Sequence, residues 1–120
     1  MEKRYRLLRN SDFQRVRSKG RLWFHDLVVL YVYPNGLQHS RFGFSVSKRI
    51  GKAVLRNRLK RCMREAIRHA MRHIPGGWDM VFVARGPIRD ADFQQIELAI
   101  HALLRRSELW VEPIGGEKNK

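Results

Sequence analysis

Residues 48–72 read KRIGKAVLRNRLKRCMREAIRHAMR, and no other stretch limits the possible folds as strongly. It holds ten Lys/Arg (Lys48, Arg49, Lys52, Arg56, Arg58, Lys60, Arg61, Arg64, Arg68, Arg72) and a single acid, Glu65. A disordered basic tail lacks apolar periodicity. Here Leu55, Leu59, Cys62, Met63, Ala66, Ala70 and Ile74 recur at three- and four-residue steps, the signature of a helix with one apolar stripe. Arg61, Arg64, Arg68 and Arg72 recur at the same steps on the opposite side. The pattern predicts a helix fixed to a core on one side and presenting a row of guanidinium groups on the other. A rigid, concentrated positive surface binds polyanions, of which nucleic acids are the commonest in a cell.

Composition narrows the classes. With 120 residues and 43% apolar content, the chain suits one folded domain with a modest core. The formal net charge of +14 is self-repelling, so a large anionic partner would stabilise the fold by binding it. A membrane surface is disfavoured as that partner: no run approaches a span, and the basic helix lacks the Trp/Phe/Leu face of an interfacial anchor. Cys62 is the only cysteine, which excludes an intrachain disulfide. With no apolar stretch of signal-peptide type in MEKRYRLLRNSDF, the expected location is cytoplasmic.

The remaining elements follow from local chemistry. Ser11, with Gln14 three residues on, has the pattern of a capping box and predicts a helix from about Asp12 to Lys19 that stops at Gly20. Phe13 and Val16 lie on its apolar side. Leu22-Trp23-Phe24 reads as a short strand, and Leu27–Tyr33 as a longer one ending at Pro34-Asn35-Gly36. Arg41–Ser47 alternates polar or small residues with apolar ones, a strand with one face to the core. The basic helix follows, opening at Arg56-Asn57-Arg58 and ending near His73, before Pro75-Gly76-Gly77. Trp78–Ala84 is a further strand. Asp90 or Asp92 caps a last helix running to about Trp110. A single domain is expected over residues 1–114, with 115–120 a frayed tail. The class is α+β, one sheet with helices against it. If the strands around the basic helix are parallel, the general rule makes their crossover right-handed.

Tyr31 and Tyr33 share one strand face, while Val28, Leu30 and Val32 take the other. With Phe13, the tyrosines are either stacking platforms for unpaired bases or ordinary core. Cations before the basic helix oppose its dipole, which favours an anion-binding purpose over a merely solvated face. His69 and His73 have metal-pair spacing but sit among arginines, so they read as solvent-exposed residues and no protein metal site is expected. Asp79, Asp90 and Asp92 form no paired-carboxylate site, and no Ser/His/Asp or Cys/His set is present; no catalytic residue is assigned.

The stretch FGFSVSKRIGKAVLRNRLKRCMREAIR resembles the signature of the bacterial ribonuclease P protein subunit, with further agreement in LLRNSDFQRVRSKG, in GWDMVFVARG and in the final helix, over roughly residues 3–108. The resemblance implies a small α/β sandwich of order α-β-β-β-α-β-α. Its four-stranded sheet would carry a left-handed crossover around the basic helix, as in a ribosomal-protein-like domain. It also implies that the protein assists removal of the 5′ leader from precursor tRNA, with the chemistry left to a catalytic RNA and its Mg²⁺ ions. The implied partners are that RNA and precursor tRNA, with no obligate protein partner.

By the same resemblance Arg56, Asn57, Arg58, Lys60, Arg61, Arg64 and Arg68 would contact the catalytic RNA. Phe13, Tyr31, Lys48 and Arg49 would line the leader cleft. Arg17 stands where many members carry a second Phe, and Lys52 where Asn is frequent. His25-Asp26 replaces an Asn-Arg pair and takes no assigned contact. The rival readings are a ribosomal or RNA-chaperone type module unconnected with cleavage, an RNA-independent metal nuclease, and a helix-turn-helix DNA binder.

Overall fold

A computed structural model describes residues 1–113 of the chain. Its main elements are α1 (Asn10–Lys19), β1 (Arg21–Phe24), β2 (Val28–Pro34), β3 (Arg41–Ser45), α2 (Ala53–Ala70), β4 (Trp78–Ala84) and α3 (Phe93–Arg106). The order matches the expected α-β-β-β-α-β-α. The expectation of a frayed tail at 115–120 lies outside the described residues.

The sheet runs β1-β2-β4-β3. The β1–β2 and β2–β4 pairs are antiparallel, whereas β3 and β4 are parallel. Helix α2 makes the connection that a parallel pair requires. Alternation along each strand sorts the side chains into two layers. Val28, Leu30, Val32, Phe42, Met80 and Phe82 face one way, into a core shared with Leu59, Met63 and Ile67 of α2 and with Ile96, Ile100 and Leu103 of α3. Tyr31, Tyr33, Val81 and Val83 face the other way and pack with Leu7, Phe13 and Val16. Helix α1 therefore covers only part of the second sheet face.

Strand β3 stops at Ser45, two residues before the expected Ser47, β2 runs one residue later than expected at each end, and three helix boundaries differ from expectation. Helix α1 starts at Asn10 with Arg9 as its N-cap and no side-chain cap, because Asp12 and Phe13 donate their N–H groups to the Arg9 carbonyl. Ser11 lies inside the first turn and forms no capping box. That motif occurs instead at α3: Asp92 accepts from the Gln95 N–H at 2.8 Å, and the Gln95 side chain accepts from the Asp92 N–H at 2.9 Å. Asp90 belongs to the preceding 3₁₀ turn and does not cap α3.

Helix α2 begins at Ala53, one turn before Arg56, whose N–H already bonds the Lys52 carbonyl at 2.9 Å. The free N–H groups of the helix start thus belong to the residues before Arg56-Asn57-Arg58. Helix α3 stops at Arg106, four residues short of Trp110. There Glu108 takes φ 64°, its N–H bonds Arg105 O, and the Leu109 N–H bonds Leu104 O. This is a Schellman stop with glutamate in the left-handed position that usually holds glycine.

Candidate nucleic-acid interface

Two basic surfaces arise from this packing. The first is the outer side of α2. Burial of Leu59, Met63, Ala66, Ile67 and Ala70 against the sheet and α3 fixes the helix rotation. Asn57, Arg58, Arg61 and Arg68 are consequently exposed, while Lys60 and Arg64 are half-buried at the flank. Within the Arg-Asn-Arg motif the two arginines differ. Arg56 turns back and donates to the Gly51 carbonyl at 2.7 Å, bracing the loop before the helix, whereas Arg58 points to solvent. Arg68 forms a bidentate pair with Glu65, which raises the pKa of its guanidinium and lowers that of the Glu65 carboxyl, in each case chiefly through the hydrogen bonds. Arg64 is unbalanced. Partial burial, with Arg6 and Arg61 nearby, lowers its guanidinium pKa, so an anion placed there would relieve repulsion among three cations.

The second surface is a groove between α1 and the β3 edge of the sheet. Its walls include Asn10, Phe13, Gln14 and Arg17 from α1, Phe44 and Ser45 from β3, and Lys60 from α2, around a hollow of about 390 Å³. Phe44 stacks on Phe82 with ring centroids 5.7 Å apart, and the Arg64 guanidinium lies 5.9 Å from the Phe44 ring. Further along α1 the groove opens over Tyr31, where Arg17 sits 5.5 Å from the ring centroid. The cation–aromatic pair stands where two aromatic rings were the family expectation.

A buried ion-pair network seats α1 on the sheet. Asp79 of β4 is 1% exposed and accepts from Arg41 Nε at 2.9 Å, from Arg41 Nη2 at 2.7 Å and from Asn35 Nδ2 at 2.9 Å. Its hydrogen bond is the largest influence raising the Arg41 pKa. Arg15 of α1 bonds Asp12 at 2.7 Å and reaches to 3.9 Å from Asp79.

The sequence-predicted residues are thus partly assembled. Phe13, Arg17 and Tyr31 line one continuous groove. Lys48, Arg49 and Lys52 are exposed in the loop between β3 and α2, outside the walls of the hollows described. Lys60, expected on the catalytic-RNA side, also forms part of the groove wall. Reasoning from sequence missed Arg6, Phe44 and the Asp79 network. Arg6 arrives through a bridge to Phe42, with the Leu7 N–H bonding Phe42 O at 2.8 Å, and no periodicity announces it. Phe44 could have been found, since strand alternation in Phe42-Gly43-Phe44 put it on the face toward α2.

Among the described residues the carboxylates and histidines are engaged elsewhere. Asp79 is committed to Arg41, Glu65 to Arg68, and Asp92 to its cap. His69 bonds Glu97 across to α3, and His73 stacks on Trp110 at 4.3 Å. Among the described residues no group of three or more His, Cys, Asp or Glu could hold a metal ion, and no helix is long and apolar enough to cross a membrane.

Comparison with known proteins agrees with this architecture. The family profile described as Ribonuclease P matches residues 1–108. The ribonuclease P protein component of Caldanaerobacter subterraneus subsp. tengcongensis is 44% identical over 111 residues, which cover 92% of this chain and 96% of the relative. That of Herpetosiphon aurantiacus is 44% identical over 110 residues, covering 92% and 89%. Among solved structures, the Staphylococcus aureus RNase P protein aligns with TM-score 0.83 at 36% identity, covering 88% of this chain and 97% of its own. The Thermotoga maritima RNase P protein aligns with TM-score 0.78 at 32% identity, covering 84% and 96%. With sequence and fold agreeing over almost the whole described chain, the protein belongs to the ribonuclease P protein family.

Proposed function

We propose that this protein is the protein subunit of a ribonucleoprotein ribonuclease P, promoting hydrolytic removal of the 5′ leader from precursor tRNA. The observation that carries the reading is the pairing of two basic surfaces on one rigid frame: the exposed guanidinium row of α2 and the aromatic groove under α1. The α2 face, with Asn57, Arg58, Arg61 and Arg68 outermost, would hold the catalytic RNA. The groove, with Phe13, Arg17, Tyr31 and the half-buried Lys60, would hold the single-stranded leader. Lys48, Arg49 and Lys52 lie on an exposed loop and would meet phosphates near the leader's exit. Charge and stacking read backbone and ring faces, so such binding tolerates leader sequence.

Bond cleavage falls to the RNA, and the Mg²⁺ ions it holds would supply charge stabilisation and an activated water. This chain's own side chains bind and orient. The free thiol of Cys62 is compatible with a reducing cytoplasm.

The test is cleavage of precursor tRNA at low Mg²⁺ by the protein alone, by a bacterial ribonuclease P RNA alone, and by the two together. Cleavage at the mature 5′ end only in the mixture is the expected result. No gain from adding the protein would refute the reading.

A further inference from the structure

Helix α1 leaves part of its sheet face open. Strand β1 forms the edge of the sheet beyond β2. Its register sets Leu22 opposite Tyr31 and Phe24 opposite Val29, so both side chains lie on the face that carries Tyr31. Trp23, opposite Leu30, turns to the α2–α3 core instead. On the α1 side, Phe13 and Val16 pack with Tyr31, Tyr33, Val81 and Val83 of β2 and β4. Leu22 and Phe24 keep 52% and 53% of their surface in water. Two large apolar side chains thus extend the face of the groove toward the β1 edge.

Arg85 gives this patch its chemistry. It comes two residues after Val83 of β4, and its guanidinium lies 4.3 Å from the Phe24 ring centroid. The arginine is held in place by two bonds: its backbone N–H donates to the Leu27 carbonyl at 2.9 Å, and Nη1 donates to the Asp26 carbonyl at 3.1 Å. Arg106 of α3 donates to the Phe24 carbonyl, which fixes the strand under the ring. Among the described residues Arg85 forms no ion pair, so its charge is left for an anion. The arrangement repeats that of Arg17 and Tyr31, whose guanidinium and ring are 5.5 Å apart. Tyr31 and Phe24 are diagonal neighbours across the β1–β2 ladder, which places their side chains about 7–8 Å apart. Leu22 sits beside both.

A second copy of this chain is a poor occupant, because each carries a net charge of +14 and the arginines beside the rings repel one another. An acidic peptide would meet the cations and leave the rings unused. A single-stranded nucleic acid uses both, with bases against rings and phosphates against guanidinium groups. Arg17 lines the hollow at Phe13 and also the opening over Tyr31, so a strand passing Phe13 and Tyr31 reaches Leu22 and Phe24 without changing sheet face. We propose that Phe24 and Arg85 form a further stacking subsite for the leader. It takes the nucleotide next to the one at Tyr31 on the β1 side, with the base against Phe24 and Leu22 and the phosphate at Arg85. The proposal rests on the reading of the α1 groove as the leader's path. Ring faces carry no base-edge code, so the subsite accepts any base.

The experiment uses the reconstituted complex with a bacterial ribonuclease P RNA and precursor tRNAs in which a single abasic residue is moved along the leader. Phe24→Ala should lower affinity for the intact leader roughly 5- to 150-fold, the range of one base–aromatic stack. It should also abolish the loss caused by the abasic residue at one leader position, since the stack is already gone. Phe13→Ala should abolish it at a different position. Phe24→Trp should restore both the affinity and the abasic loss. Arg85→Gln should lower the salt slope of binding by about 0.7, one single-strand phosphate contact. A benzophenone-bearing residue in place of Phe24 should crosslink to the leader, a readout that does not depend on the alanine variant. Unchanged affinity in Phe24→Ala, or losses that add to the abasic loss at every position, would overturn the subsite and leave the proposed function standing. Crosslinks from position 24 to the catalytic RNA or to a second copy, with none to the leader, would do the same. Wild-type affinity no greater for precursor than for mature tRNA would overturn both.

Discussion

Replacing Gly43 by alanine should damage the groove proposed for the leader without removing any charge or aromatic group. Gly43 lies in β3 on the face that meets α1. A Cβ built there falls 2.5 Å from Phe13 Cζ, 2.7 Å from Cε2 and 3.2 Å from Cε1. Carbon–carbon contacts are comfortable at about 3.5–4.0 Å, so the ring must retreat by roughly 1 Å. Val16, fully buried one turn on, holds α1 in place and resists a shift of the whole helix. Overpacking of this kind costs about 1–3 kcal/mol. With a urea slope of about 1–3 kcal/mol per M, the unfolding midpoint should fall by about 1 M.

The functional readout is the ratio of affinities for precursor and mature tRNA in the reconstituted complex. Loss of one stack, ~1–3 kcal/mol, lowers that ratio roughly 5- to 150-fold. Adding Phe13→Leu to Gly43→Ala makes room for the methyl group, so the midpoint should recover while the ratio stays low. An unchanged midpoint and an unchanged ratio in Gly43→Ala would refute the placement of Phe13 against the sheet and its role in the leader site together.

Four other outcomes follow from the geometry. Phe13→Ala should weaken precursor tRNA binding and leave mature tRNA binding little changed; equal losses would remove Phe13 from the leader site. Arg58→Ala should weaken association with the catalytic RNA and reduce the salt slope by about 0.7–0.9 per lost phosphate contact, and a salt titration identical to wild type would count against that contact. Asp79→Ala strands Arg41 and Asn35 and should cost about 2–4 kcal/mol in urea unfolding, below the figure for a wholly buried pair because Arg41 and Arg15 reach water; a loss under about 1 kcal/mol would contradict the network. The bond to Arg68 lowers the Glu65 pKa in the folded state, so its contribution is present above the unfolded value of about 4.3 and fades as pH falls through the lower folded value. Glu65→Gln should therefore flatten the acid limb of the stability curve slightly and leave neutral pH almost unaffected, as expected of an exposed pair; a large loss at neutral pH would contradict this.

What could be read without coordinates was the periodic part. The stripe from Leu55 to Ala70 and the alternation in Val28–Tyr33 report burial directly, because a helix repeats every 3.6 residues and a strand every two. The two faces of β2 therefore separated correctly, with Val28, Leu30 and Val32 in the main core and Tyr31 and Tyr33 beneath α1. Ends were less legible. Ser11…Gln14 and Asp92…Gln95 have the same local form, yet only the second closes a capping box, since α1 starts a residue before Ser11 could act as cap. Arg56 looked like a helix start because its charge pattern is distinctive, but charge does not report where the first carbonyl is accepted. Trp110 continued the apolar rhythm of α3 only on paper; the left-handed Glu108 turns the chain so that Trp110 stacks on His73.

An apolar stripe and a row of arginines on one helical period require a helix anchored on one side and cationic on the other, and the alternating strands require a sheet beneath it. Those are consequences of local periodicity and charge. Tertiary structure decided which cations share a surface and which are spent. Arg56 braces a loop, Arg41 is committed to Asp79, Arg68 stays on the surface in an exposed pair with Glu65, and Arg6 is brought beside Arg64 by a bridge to Phe42. It also decided that Phe13, Arg17 and Tyr31 would form one groove and that Phe24 would stand on the same sheet face beside Arg85. Such placements depend on contacts between residues far apart in the chain, and sequence spacing carries no measure of those distances.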